Sequence, residues 1–279
     1  METMVKFNSV SQTEPSGWHD SKIGKIAYWI EGKGPVIFLL HAAGHDHHDY
    51  DSILSTLVQK YKVISIDWPG HGMSPNPYPL SSASAIDYAE ILPAIVQKLA
   101  PEGAVFIGNS LGGFASMNLA LTKPELVKAL VIVDSGGLND PDWKTKSFTN
   151  LKSKVWITRL LWNIFPNQYI KIKNEYTNSI LIRIKKREIV DGAKEVNANI
   201  WKSFLDKRHD LRYKVAGINV PTLIVWGKFD PVIDPKIATR LYRKIKGSHL
   251  VLLKTGHVPF AENPSEFLKV TLPFLDSLA

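Results

Sequence analysis

The residue of this 279-residue chain with the clearest chemical setting is Ser110, in Ala104-Val105-Phe106-Ile107-Gly108-Asn109-Ser110-Leu111-Gly112-Gly113. A serine hydroxyl is a poor nucleophile until it is held out of the backbone's shadow and given a base. Gly108 and Gly112, two residues to either side, leave no Cβ where a sharp turn brings strand and helix backbones together. Ser110 is therefore expected in a strained conformation that presents its Oγ to a cleft. A second group with chemical capacity is His45-Asp46-His47-His48-Asp49, three histidines and two aspartates in one loop. Such residues could ligate a metal, but a site also needs ligands from elsewhere in the chain. The serine motif supplies a complete chemistry of its own, so no metal and no cofactor are expected. The chain has no cysteine, which removes disulfides, thiolate sites and a cysteine nucleophile.

Elements must position that serine. Ala104 to Ile107 is an apolar run of the buried-strand type, and a small-residue helix follows from Gly113. Residues 17–31 predict an antiparallel hairpin turning near Gly24, after a loose lead-in. Apolar runs at 35–40, 62–67, 127–133, 221–227 and 248–254 predict further strands, continuous in the manner of a sheet covered on both faces. Helices are expected over 51–59, 84–99 with Pro93 inside, 235–246 with Asp234 as its N-cap, and 265–278. From Leu138 to about Val215 the alternation of strand and helix stops, and three or four amphipathic helices carry Trp156, Trp162 and Trp201.

Strand, nucleophile turn and helix together resemble the α/β-hydrolase family, and the resemblance covers nearly the whole chain. It implies an α/β fold with a mostly parallel eight-stranded sheet flanked by helices and an inserted helical lid. The implied division is a core over 1–137, a lid over 138–215 and the rest of the core over 216–279. Trp226-Gly227-Lys228-Phe229-Asp230 and Gly256-His257-Val258-Pro259-Phe260-Ala261-Glu262-Asn263-Pro264 match family motifs. They imply Asp230 as the acid and His257 as the base of a triad in the chain order Ser, Asp, His. Asp134 is the rival acid, at a place some members use.

His41-Ala42-Ala43-Gly44-His45 occupies the family's oxyanion loop, with Ala42 where a glycine is usual. The backbone amides of Leu111 and Ala43 are the expected oxyanion donors. His41, Ala42, Trp156 and Trp162 are expected at the substrate. Asp67-Trp68-Pro69-Gly70-His71-Gly72-Met73-Ser74 matches a family turn that is mainly architectural. The expected activity is hydrolysis of a small or medium-sized carboxylic ester. A carbon–carbon hydrolase of ring-cleavage products is the alternative, suggested by Gly136-Gly137 and opposed by Val258, where those enzymes usually carry tryptophan. A slow-turnover receptor of the same fold is the non-enzyme alternative.

The formal charge of +8 is uneven: residues 141–215 hold 17 Lys and Arg against 7 Asp and Glu. That segment could form a solvated helical face, attract anionic substrates or touch an anionic lipid surface. No nucleic-acid module accompanies the charge. No run approaches the ~18 apolar residues of a membrane span, and the polar start lacks a signal-peptide core. A cytoplasmic monomer or homodimer acting on a small molecule is expected.

Overall fold

The computed structural model describes residues 14–138, 143–162 and 164–278. The expected lead-in over 1–13 and the first residues of the insert, 139–142, lie outside them. The elements run β1 (Gly17–Ser21), β2 (Gly24–Glu31), β3 (Val36–Leu40), α1 (Asp51–Leu57), β4 (Lys62–Asp67), α2 (Ala85–Leu99), β5 (Ala104–Asn109), α3 (Leu111–Thr122) and β6 (Val127–Val133). An insert of helices follows: α4 (Trp143–Lys152), α5 (Val155–Leu161), α6 (Phe165–Tyr169), α7 (Glu175–Arg187) and α8 (Ala193–Ser203). The chain closes with β7 (Thr222–Gly227), α9 (Lys236–Lys244), β8 (His249–Leu253), α10 (Pro259–Glu262) and α11 (Pro264–Asp276).

All eight strands form one sheet in the order β1-β2-β4-β3-β5-β6-β7-β8. The β1–β2 and β2–β4 pairs are antiparallel and the others parallel. Side chains of a strand alternate between faces, and the apolar runs use both. In β3, Phe38 and Leu40 join the core under α2 and α3, whereas Ile37 and Leu39 join the one under α1 and α11. Strand β5 is thereby buried along its whole length between β3 and β6, and the residue that leaves its carboxyl end has a rigid base. The chain forms the mostly parallel sheet flanked by helices that the sequence implies.

Several boundaries differ from expectation. Helix α1 stops at Leu57, two residues early. Lys154 adopts an extended conformation (φ −88°, ψ 124°) inside the run 151–165, and among the described residues the insert holds five α-helices where three or four are expected. Pro235, not Asp234, caps α9; the Asp234 carboxylate accepts the amide of Lys236 at 2.8 Å instead. Among the described residues no helix is long and apolar enough to cross a membrane.

Candidate active site

Ser110 stands between β5 and α3 at φ 52°, ψ −106°, a conformation that costs a non-glycine residue on the order of 1–3 kcal/mol. Surrounding backbone imposes it. The Ser110 amide donates to Val133 O at 3.0 Å, and Ser110 O accepts from the amides of Phe114 and Gly136, each at 3.0 Å. A Cβ on Gly112 would lie 2.0 Å from Leu40 O, and one on Gly108 would lie 2.5 Å from Gly112 O. The glycines are thus required by close approach of backbones, as the spacing suggests.

His257 follows β8 and Asp230 follows β7. His257 Nδ1 lies 2.8 Å from Asp230 Oδ2, and both residues are buried. The other Asp230 oxygen accepts the amides of Val232 at 2.7 Å and Ile233 at 3.3 Å. The main chain of His257 is tied down at both ends: its amide donates to Tyr169 O at 3.0 Å, and its carbonyl accepts from Asn109 Nδ2 at 3.1 Å. Asn109 precedes Ser110, so one amide side chain fastens the histidine loop to the elbow. The Glu262 carboxylate, also buried, accepts the amides of Gly256, Lys171 and Ile172 at 2.9 Å and of Val258 at 3.3 Å. It joins the histidine loop to the insert.

Ser110 and His257 line one cavity of about 800 Å³. Among the described residues no hydrogen bond joins Ser110 Oγ to the imidazole. With Nδ1 engaged by Asp230, the imidazole has Nε2 left for a partner. Asp134, with Ser110 one of two non-glycine residues at positive φ among the described residues (41°), lies beside this pair. Its Oδ1 accepts the amide of Gly227 at 2.8 Å, and its carboxyl lies within 4.8 Å of the Asp230 carboxylate. Burial, and then the negative charge of Asp230, hold the Asp134 carboxyl well above the usual carboxylate range.

The loop after β3 is braced by two neutral histidines. His71 Nδ1 donates to Pro69 O at 3.2 Å and its Nε2 accepts the Gly44 amide at 3.0 Å; burial and then Arg187 push its pKa far down. His41 Nδ1 donates to Ala42 O at 2.7 Å and its Nε2 accepts the Trp68 amide at 3.1 Å, with its pKa lowered by burial. The turn residue Asp67 accepts the amides of His47 and Met73. Ala42, Ala43 and Leu111 line the cavity, and the amides of Ala43 and Leu111 donate to no described residue. The clustered histidines do not converge: His45 bonds Asp49, His47 bonds Asp67 and His48 bonds Asp51.

Of the residues expected at the substrate, Ala42 and Trp162 line the cavity. His41 does not; it is fully buried behind the loop, with both ring nitrogens committed to backbone. Trp156 does not either; it is 65% exposed on the outside of α5. Sequence reasoning did not single out Lys152, Tyr169 or His45 as wall residues. Trp201 was noted only for its apolar helix face, and it too faces the cavity. His45 Nε2 lies 2.6 Å from Tyr169 Oη, and burial raises that phenol well above its usual range.

Residues 37–270 match the alpha/beta hydrolase family. The chain is 28% identical over 250 residues to a pimeloyl-[acyl-carrier protein] methyl ester esterase of Neisseria meningitidis, covering 86% of this chain and 92% of that protein. Two solved structures share the fold at a TM-score of 0.79. One is a hydrolase from Pseudomonas aeruginosa, 22% identical over 93% of this chain and 97% of that one. The other is an enol-lactonase from Burkholderia xenovorans, 20% identical over 93% of this chain and 100% of that one. With the sheet, the elbow and the match over residues 37–270 in agreement, the chain belongs to the alpha/beta hydrolase family and is a hydrolase of that fold.

Proposed function

We propose that this protein is a serine hydrolase of small or medium-sized carboxylic esters, with Ser110 as nucleophile, His257 as general base and acid, and Asp230 as the acid of the triad. The supporting observation is that Ser110 and His257 share one cavity while Asp230 holds the far nitrogen of the imidazole at 2.8 Å. In this mechanism substrate entry brings His257 Nε2 to the Ser110 hydroxyl, a bond that unliganded sites often leave long. Nε2 takes the proton as Oγ attacks the ester carbonyl, and the alkoxide leaves with that proton. Asp230 fixes the tautomer and stabilises the imidazolium. The free amides of Leu111 and Ala43 receive the oxyanion, each worth about 3–4 kcal/mol. Water activated by His257 then releases the acid and regenerates the hydroxyl.

Helices α4 to α8 act as a lid in this reading, because each contributes to the cavity wall opposite Ser110. The exposed Trp156, Leu160 and Ile164, beside Lys154 and Arg159, support peripheral contact with an anionic surface, tested by binding to anionic vesicles at low salt.

Hydrolysis of p-nitrophenyl esters from acetate to laurate, by wild type and Ser110→Ala, tests the proposal. A chain-length optimum that falls roughly 10⁴-fold or more in the variant is expected. Folded wild type that cleaves none of these esters would overturn it in favour of a carbon–carbon hydrolase or a receptor.

A further inference from the structure

Lys152, the last residue of α4, is a buried cation with no counter-ion among the described residues. It is 3% exposed and lines the same cavity as Ser110 and His257. Its Nζ lies 4.2 Å from the ring centre of Phe165 and 5.2 Å from that of Trp201. Among the described residues no carboxylate comes within ion-pair distance of it. The two acids on the cavity wall are already taken: Asp206 pairs with Arg208 at 2.8 Å and Asp210 with Arg212 at 2.9 Å. Thr158 Oγ1 bonds only the main-chain carbonyl of Lys152.

Lysine is almost never this buried unless paired, because an ammonium stripped of water must be compensated. The aromatic faces offset part of that cost and fix where the nitrogen sits. They offer no acceptor, and among the described residues its three N–H donors meet no oxygen. Burial lowers the amine to about 8, which leaves it mostly protonated at pH 7. Such an arrangement costs stability in the empty protein, and an anion from outside would repay it.

We propose that Lys152 is a specificity residue that receives a single carboxylate on the substrate, so that the preferred ester is a monoanion with its charge at the end remote from the scissile bond. This rests on the reading that the cavity presents an ester to Ser110. A carboxylate fits better than a phosphate, because one ammonium in apolar surroundings balances one negative charge and would leave a dianion uncompensated. Phe148, Leu161 and Trp162, which line the same cavity, suit a methylene chain. Exposed Lys146 and Lys207 at the same cavity supply a positive approach.

The test pairs p-nitrophenyl monoesters of dicarboxylic acids with p-nitrophenyl esters of fatty acids of equal chain length. It uses wild type, Lys152→Met and Lys152→Arg, each checked for folding by thermal melting. At one chain length wild type is expected to favour the monoanion in kcat/KM by roughly 10- to 100-fold. Lys152→Met is expected to lower that ratio at least ten-fold, chiefly through KM, and Lys152→Arg to restore part of it. Calorimetric titration of Ser110→Ala with monomethyl suberate reads binding without turnover, and Lys152→Met in that background is expected to abolish the heat. Wild type that prefers the neutral ester at every length, or a ratio unmoved by Lys152→Met, would overturn the inference. Failure of wild type on both ester classes sinks the esterase reading alone, and the titration then decides the anion site independently.

Discussion

The buried carboxyls of Asp134 and Asp230 stand side by side, oxygens within 4.8 Å of each other, and of the two only Asp230 bonds His257. Burial, and then the charge of Asp230, raise the Asp134 carboxyl well above the ordinary 3.8 that it has in the unfolded chain. The native state thus binds more protons than the unfolded state above that pH, and stability falls as pH rises from about 4 toward the raised pKa. Asn at 134 keeps an acceptor for the Gly227 amide and turns a neutral N–H₂ toward Asp230, without that penalty. Asp134→Asn should therefore melt a few °C higher than wild type at pH 8, with the gap closing toward pH 4. Melting curves at the two pH values decide; a lower Tm at pH 8 would refute the protonated carboxyl.

Asp230 has the opposite role. An amide at 230 would offer its N–H₂ or a neutral oxygen to His257 Nδ1, losing the tautomer and the charge that steady the imidazolium. Asp230→Asn is expected to lose about 10³–10⁴ in kcat, and Asp134→Asn less than about ten-fold. Equal losses would mean that the two carboxyls share the acid's work.

Glu262 gathers four backbone amides, and all four are buried with it or half-buried. Glutamine has one acceptor oxygen and turns an N–H₂ toward those donors, leaving amides unsatisfied. Glu262→Gln should cost roughly 2–4 kcal/mol in denaturant unfolding. An unchanged midpoint would show that water replaces the carboxylate.

Gly112 lies where helix α3 crosses the end of β3. A methyl group there meets Leu40 O at 2.0 Å and Leu40 C at 2.6 Å, both backbone atoms of a buried strand. Gly112→Ala is expected to destabilise by about 1–3 kcal/mol. It should also cost about 10²-fold in ester hydrolysis, because the elbow shifts relative to His257. Activity within a few-fold of wild type would argue that the elbow can slide.

Trp156 and Trp162 make a paired control. Trp162 is buried on the cavity wall with its indole N–H on Ile184 O at 2.8 Å, whereas Trp156 faces out. Trp162→Ala should lose about 3–5 kcal/mol of stability and move the ester chain-length optimum; Trp156→Ala should leave that optimum where it is. The ester series with both variants checks this.

The sheet and the elbow were legible because their signals are local. Continuous apolar runs such as Val36–Leu40 can only be strands covered on two faces, and Gly108 and Gly112 announce a backbone approach that any Cβ would block. Asp230 and His257 were legible through motifs at the ends of β7 and β8. The wall of the cavity was not. Trp156 and Trp162 are six residues apart, a turn of about 240° on a helix, and which one faces inward depends on how the insert settles on the core. His41 was misjudged for a related reason: a residue at a strand end can point to the cavity or behind the loop, and here Trp68 draws its ring backward. Lys152 disappeared into a count of surface charge, since only the packing of α4 against α8 and Phe165 reveals that it is covered.

The Glu262 anchor also sets the terms on which this enzyme could exchange its specificity. Two of the amides it holds, those of Lys171 and Ile172, belong to the insert, and the other two flank His257. A graft that replaces helices α4 and α5 leaves this clasp intact and alters only the walls. One that runs through residue 172 must bring two correctly placed amides of its own, or it will loosen the base while meaning only to reshape the pocket. The boundary between interchangeable and fixed parts of the molecule thus falls inside the insert, before Tyr169, whose carbonyl also holds the His257 amide, rather than at its ends.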